Sequence, residues 1–157
     1  MLAIGGMAPE FALPNQNGDV VRLSDYRGKK VVIFAFPKAG TSGCTKQACA
    51  FRDALPKLQD ANAVVFGVSG DTQAELKHFK ESEKLTYDLL SDRSHSMLDA
   101  YGAWAIGFGM IKIPIIRRSM WVIDEQGRLI DMEIGIAPEK SMQQALETAL
   151  RGAAAGS

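Results

Sequence analysis

Val31-Val32-Ile33-Phe34-Ala35-Phe36-Pro37-Lys38-Ala39-Gly40-Thr41-Ser42-Gly43-Cys44 is the stretch on which the fold turns. Its first six residues are a continuous apolar run rich in β-branched and aromatic side chains, which predicts a strand covered on both faces. Pro37 and the loop Lys38-Ala39-Gly40 end that strand. Beyond the loop, residues 45–58 place apolar or small side chains at 48, 51, 55 and 58, close to helical spacing, and residues 63–68 read as a second buried strand. Strand, helix and strand in that order make a βαβ unit, for which parallel pairing is expected.

Downstream, Asp71-Thr72 is suited to cap a helix reaching about residue 84, with a strand near 87–90 and a short helix at 94–101. Residues 119–124, the turn Glu125-Gln126-Gly127 and residues 128–134 predict an antiparallel hairpin. Ala137-Pro138-Glu139 opens a last helix whose buried stripe is expected at Met142, Leu146, Ala149 and Leu150. A single domain over residues 1–151 is expected, with 152–157 as a flexible tail. An early βαβ followed by a hairpin and a terminal helix is the order of a thioredoxin-like α/β fold: a three-layer sandwich around a central mixed β-sheet.

Composition narrows the function. The chain has 157 residues, 46% apolar and 23% charged, enough for one domain with a substantial core. Its 18 Lys and Arg balance 18 Asp and Glu, so neither nucleic acid nor an anionic membrane has compositional support, and a small-molecule or protein substrate is expected. The N-terminal segment lacks the basic and apolar regions of a secretory signal and no run is long enough to span a bilayer, so the protein reads as soluble and cytoplasmic. Two cysteines, at 44 and 49, are too few and too close for a secreted disulfide framework, which leaves catalytic or structural thiols.

Cys44 falls where a buried strand gives way to a helix, in the expected first turn, with Thr41 or Ser42 near the cap. Unsatisfied N–H groups and the helix dipole favour thiolate over thiol at such a place. A buried cysteine behaving as a small hydrophobe is the plainer alternative, but the junction, Gly43 and the nearby Thr41 hydroxyl favour chemistry. Cys49 lies five residues on, which in an intact helix is a rise of about 7.5 Å and a turn of about 140°. A disulfide needs Cα atoms within about 7 Å, so joining the pair requires the first turns to unwind. The alternative for Cys49 is a core thiol.

Taken together these features resemble the peroxiredoxins, whose signature Pro-x-x-x-Thr/Ser-x-x-Cys stands here as Pro37, Thr41 and Cys44. Within them the chain looks like the PrxQ branch, also called bacterioferritin comigratory protein. The likeness is carried by residues 5–13, Leu23-Ser24-Asp25-Tyr26-Arg27-Gly28-Lys29, Gly43-Cys44-Thr45, Ala48-Cys49-Ala50-Phe51-Arg52-Asp53, Gly67-Val68-Ser69, Leu89-Leu90-Ser91-Asp92, Tyr101-Gly102-Ala103-Trp104 and residues 118–124. The resemblance implies a thiol-dependent peroxidase acting on hydrogen peroxide and organic hydroperoxides. Cys44 would be the peroxidatic cysteine, and Thr41, Gly43, Cys44 and Arg118 would hold the peroxide. Pro37 would shape and shield the loop. Cys49 would be the resolving residue of an intramolecular disulfide, reduced by thioredoxin or a similar dithiol. No metal or organic cofactor is implied. Spacing alone leaves Arg117 and Arg118 equivalent; the resemblance favours Arg118.

The chain also departs from that pattern. Ser42 stands in place of a proline, Ala35-Phe36 in place of Phe-Tyr, and Gln47 in place of a glutamate. Residues 105–116 are apolar where relatives carry basic and polar side chains, which reads as a loop serving core packing, an organic-hydroperoxide collar or self-association of an otherwise monomeric protein. The rival functions are a thiol–disulfide oxidoreductase, a one-cysteine peroxidase with Cys49 structural, a redox-dead binding module, and a metal site of Cys44, Cys49, His78 and His95. The Cys-x-x-x-x-Cys spacing disfavours the first, and the wide separation of the histidines disfavours the last.

Overall fold

The computed structural model describes residues 2–108 and 110–155. In chain order the elements are β1 (Ala12–Pro14), β2 (Val20–Arg22), a 3-10 turn (Leu23–Tyr26), β3 (Lys30–Ala35), α1 (Ser42–Asp60), β4 (Ala63–Ser69), α2 (Gln73–Ser82), β5 (Asp88–Ser91), α3 (Ser96–Ala100), β6 (Trp104–Phe108), β7 (Ile111–Ile116), β8 (Ser119–Ile123), β9 (Leu129–Ile134) and α4 (Pro138–Ala155). The central sheet runs β5-β4-β3-β8-β9. β4 pairs parallel with β3 and β5, whereas β8 pairs antiparallel with β3 and β9. This is the mixed sheet of the thioredoxin-like sandwich, reached through the βαβ unit β3-α1-β4.

Period-two alternation explains why β3 reads as an unbroken apolar run. Val32, Phe34 and, just past the strand, Phe36 enter the core under α1, α2 and α4, while Val31, Ile33 and Ala35 enter the core on the opposite face. β8 repeats the pattern, with Met120 and Val122 on the first side and Trp121 and Ile123 on the second. Phe51 of α1 stacks on Phe34 at 4.4 Å between ring centroids. Each ring is wholly buried and contributes about 1.5–3 kcal/mol, so this pair seats α1, and with it both cysteines, against the sheet.

The predicted elements recur with shifted limits. α1 begins at Ser42, so Cys44 is its third residue. Thr72 caps α2 through a full capping box with Glu75, which frees Asp71 for the neighbouring loop. The turn before β9 closes at Gly127, whose φ of +89° suits a residue without a side chain. Three expectations differ. Residues 105–108 and 111–116 are not a loop: they fall in β6 and β7, an antiparallel hairpin whose isoleucines suit strands. Leu150 is 47% exposed, because the buried stripe of α4 is centred on Ala145 and Ala149 and leaves it on the margin. Where a tail was expected from residue 152, α4 continues to Ala155; residues 156–157 lie outside the described residues.

Candidate active site at the start of α1

The loop between β3 and α1 is held from below by Asp71. Its carboxylate accepts the Lys38 ammonium at 2.6 Å on Oδ1, and the Ala39 N–H at 2.8 Å and the Ser69 hydroxyl at 2.7 Å on Oδ2. Asp71 is almost fully buried, so these bonds act in a low-dielectric setting and fix the loop firmly. Lys38 also pairs with Glu75 at the start of α2. The two carboxylates raise the Lys38 ammonium above its ordinary value, and the Lys38 bond, helped by Thr72, lowers Glu75 to about 2.

Thr41 is the N-cap of α1 by backbone conformation, but its hydroxyl makes no capping bond and instead donates to the Lys38 carbonyl at 2.8 Å. Ser42, Gly43 and Cys44 are then the first three helical residues, whose N–H groups have no carbonyl four positions back within the helix. Cys44 is 1% exposed. Above it, both terminal nitrogens of Arg118 stand 3.6 Å from its sulfur. A guanidinium donating twice to sulfur at a helix N-terminus is an arrangement that holds an anion.

Arg118 is itself anchored at both ends. Its backbone carbonyl accepts the N–H groups of Gly135 and Ile136 at 2.8 and 2.9 Å. Its Nη1 donates to Gln47 Oε1 at 2.7 Å, Gln47 Nε2 donates to Ser141 Oγ at 3.1 Å, and Ser141 Oγ donates to the Pro138 carbonyl at 2.6 Å. Gln47 and Ser141 are both fully buried, so α4 positions the arginine through a closed relay. Gly43 admits the guanidinium: a Cβ there would lie 2.8 Å from Arg118 Nη2. Arg117 is exposed on the other side of the chain, beside Gly135.

Of the residues singled out in the sequence, Cys44, Gly43 and Arg118 meet directly and Thr41 stands at the cap. Pro37 lines a neighbouring groove with Trp104 and Ile115. Cys49 stands apart. α1 runs unbroken through residues 44–49, so the two sulfurs keep the helical offset, and both thiols are free. The Cys49 thiol is half-buried and donates to Glu83 Oε1 at 3.6 Å. Burial pushes it above the ordinary cysteine range and the Glu83 bond pushes the same way, with Arg52 opposing. His95 stacks on Trp104 at 3.8 Å, and no group of three or more metal-ligating side chains occurs among the described residues.

Sequence reasoning missed Asp71, Ser141 and Glu83. Gln47 was visible only as a substitution, without its task. Asp71 sits beside a capping threonine and was read as part of the cap; the others act through tertiary contacts 34 and 94 residues away in sequence, which no local pattern reports.

Known proteins share both the sequence and the fold of this chain. The AhpC/TSA family pattern matches residues 4–132. The chain is 38% identical to peroxiredoxin Bcp of Bacillus subtilis over 149 residues, 94% of each chain. It superposes on the peroxidoxin BcpB of Mycobacterium tuberculosis with a TM-score of 0.86 and 30% identity, covering 96% of this chain and 98% of the other. The bacterioferritin comigratory protein of Xanthomonas campestris, described for its alkyl peroxide reduction activity, shares the fold at a TM-score of 0.87 and 21% identity over 98% of both chains. With the family pattern over residues 4–132 and this identity to a peroxiredoxin along nearly the whole chain, the chain belongs to the AhpC/TSA family of peroxiredoxins.

Proposed function

We propose that Cys44 is the peroxidatic cysteine of this thiol peroxidase and Cys49 its resolving partner. The observation that carries the reading is the pair of Arg118 nitrogens 3.6 Å from the Cys44 sulfur at the N-terminus of α1. In the first half-reaction the Cys44 thiolate attacks the terminal oxygen of a hydroperoxide. The S–O bond forms as the O–O bond breaks, the sulfur is oxidised to sulfenic acid, and the leaving oxygen departs as water or an alcohol after taking a proton.

Each neighbour has a task in that step. Arg118 and the N–H groups of Gly43 and Cys44 stabilise the negative charge as it moves from sulfur to the leaving oxygen. Thr41 has committed its proton to the Lys38 carbonyl, so its oxygen is left to accept the hydroperoxide O–H. Pro37 lacks an N–H and keeps a competing donor away from the loop. Hydrogen peroxide and organic hydroperoxides are the substrates, with no metal or organic cofactor taking part.

In the second half-reaction α1 unwinds locally, Cys49 attacks the sulfenic acid, and thioredoxin or a similar dithiol reduces the resulting disulfide. The chain acts as a cytoplasmic monomer. Met110, Ile113 and Ile115, exposed on the β6–β7 hairpin, are the surface through which copies would associate, a point that light scattering at high concentration decides.

Intact mass and free-thiol counting after one equivalent of hydrogen peroxide test the reading. The parent is expected to lose both thiols, Cys49→Ser to accumulate a trappable sulfenic acid, and Cys44→Ser not to react. A parent that oxidises at Cys44 and keeps the Cys49 thiol is a one-cysteine peroxidase; dithiol exchange without reaction with peroxide marks an oxidoreductase.

A further inference from the structure

On the reading of Cys49 as the resolving cysteine, we propose that Glu83 is the general base that takes the Cys49 proton while the sulfur attacks the Cys44 sulfenic acid. Glu83 follows the last residue of α2 as its C-cap, and its carboxylate is the acceptor for the Cys49 thiol. The contact is built in from both sides. Arg52, one turn beyond Ala48 on α1, donates to the Glu83 carbonyl at 2.7 Å, and the Tyr87 hydroxyl donates to the Ala48 carbonyl at 2.6 Å. The connection from α2 to β5 therefore clamps α1 at the residue before Cys49 and three residues after it. Cys49 and Glu83 stay together while the first turn of α1 unwinds.

The chemistry needs such a partner. Around the Cys49 thiol stand Glu83 and Tyr87 from the α2–β5 connection, Lys46, Arg52, Asp53 and Lys57 from α1, and Glu139 from α4. Of these, Glu83 alone accepts from the sulfur among the described residues. Half-burial disfavours a free Cys49 thiolate, so attack by a preformed anion is slow, whereas transfer of the proton during attack avoids that species. The balance is simple. The Cys49 S–H proton moves to the Glu83 carboxylate, its electron pair forms the S–S bond, and the Cys44 S–O bond breaks. The departing hydroxide takes a proton from Glu83 and leaves as water. A cleft of about 570 Å³ bordered by Gly40, Thr45, Phe79 and Glu83 runs from the active-site loop to Glu83.

The experiment is rapid-quench mass spectrometry of the full-length protein, which separates sulfenic-acid formation from the later disulfide step, applied to the parent, Glu83→Gln and Glu83→Asp. In Glu83→Gln the peroxide-dependent step should match the parent, while the disulfide step slows about 10- to 100-fold near neutral pH. Its rate should then climb about tenfold per pH unit through neutrality, where the parent stays flat, and Glu83→Asp should recover part of the loss. Alkylation of Cys49 by iodoacetamide, measured in a Cys44→Ser background, should be faster in Glu83→Gln, because the carboxylate no longer opposes the thiolate. Slower resolution with a more reactive thiol is the signature of a lost base. A Glu83→Gln protein that resolves as fast as the parent or faster, with the same pH profile, overturns the proposal. If peroxide leaves Cys49 as a free thiol in the parent, the resolving role fails first and the proposal falls with it.

Discussion

The two cysteines of α1 stand in opposite electrostatic company. Cys44 lies at the helix N-terminus, 1% exposed, with a guanidinium donating twice to its sulfur. Cys49 sits one and a half turns later, half-buried, and donates its own proton to a carboxylate. Sequence distance and secondary structure are nearly the same for both; the difference comes from what packs on the helix. The strand β8 and helix α4 bring a cation to the first sulfur, and the end of α2 brings an anion to the second. One sulfur is met by two donors; the other donates its own proton. On the proposed reading, the order of the two chemical steps follows from which charge each neighbouring element delivers.

That contrast should break most completely at Arg118. Arg118→Ala removes the cation and both donors, and the second-order rate constant for hydrogen peroxide should fall about 10²- to 10³-fold by stopped flow, on the scale of losing a preorganised oxyanion donor. Arg118→Lys should recover only part of it, since an ammonium cannot reproduce the two-nitrogen approach to sulfur. Iodoacetamide reactivity of Cys49 should be unchanged in both. A smaller effect, about tenfold, is expected for Gly43→Ala, whose Cβ would sit 2.8 Å from Arg118 Nη2 and displace the guanidinium. Alanine is the better helix former by up to about 1 kcal/mol, so the thermal midpoint should hold or rise while the peroxide rate falls. A loss of stability parallel to the loss of rate would point to general disruption instead.

Gln47 sharpens the comparison from the other direction. It holds Arg118 through a neutral oxygen, so the positive charge remains directed at the sulfur. Gln47→Glu would set a carboxylate against the same nitrogen and make the Cys44 seat resemble the Cys49 seat. The peroxide rate at neutral pH should drop about three- to tenfold, equivalent to roughly 1 kcal/mol. An unchanged rate would mean that Gln47 acts only by geometry.

The sequence made one of these seats far more legible than the other. The run 31–36 shows a strand buried on both faces, and the proline, glycine and threonine that follow announce a turn into a helix, so Cys44 at a helix start follows from local chemistry. Arg118 came only through family resemblance, because Arg117 has the same spacing and the choice between them depends on how the chain turns before β8. Glu83 had no signal at all: it is one charged residue in a polar helix end, and its meaning comes from contact with a residue 34 positions earlier. The β6–β7 hairpin shows the reverse error. Its apolar run reads as a loop in the sequence, whereas residues 104–108 and 111–116 pair as antiparallel strands.

The Cys49 seat can be read through stability as well as rate. The folded protein holds the Cys49 proton more tightly than an unfolded chain, because burial and the Glu83 bond both oppose the thiolate. A folded value raised in this way contributes stability that is complete below the unfolded cysteine value, about 8.5, and is lost as pH rises through the folded value. Two proteins isolate that contribution: Cys44→Ser, in which Cys49 is the only thiol, and the double variant Cys44→Ser with Cys49→Ser. Urea midpoints taken at about pH 7 and pH 10 should converge or cross in favour of the double variant at the higher pH, by no more than about 1 kcal/mol given partial exposure. Equal shifts in both proteins would show that solvent reaches the sulfur freely. The contrast between the seats would then rest on Arg118 alone.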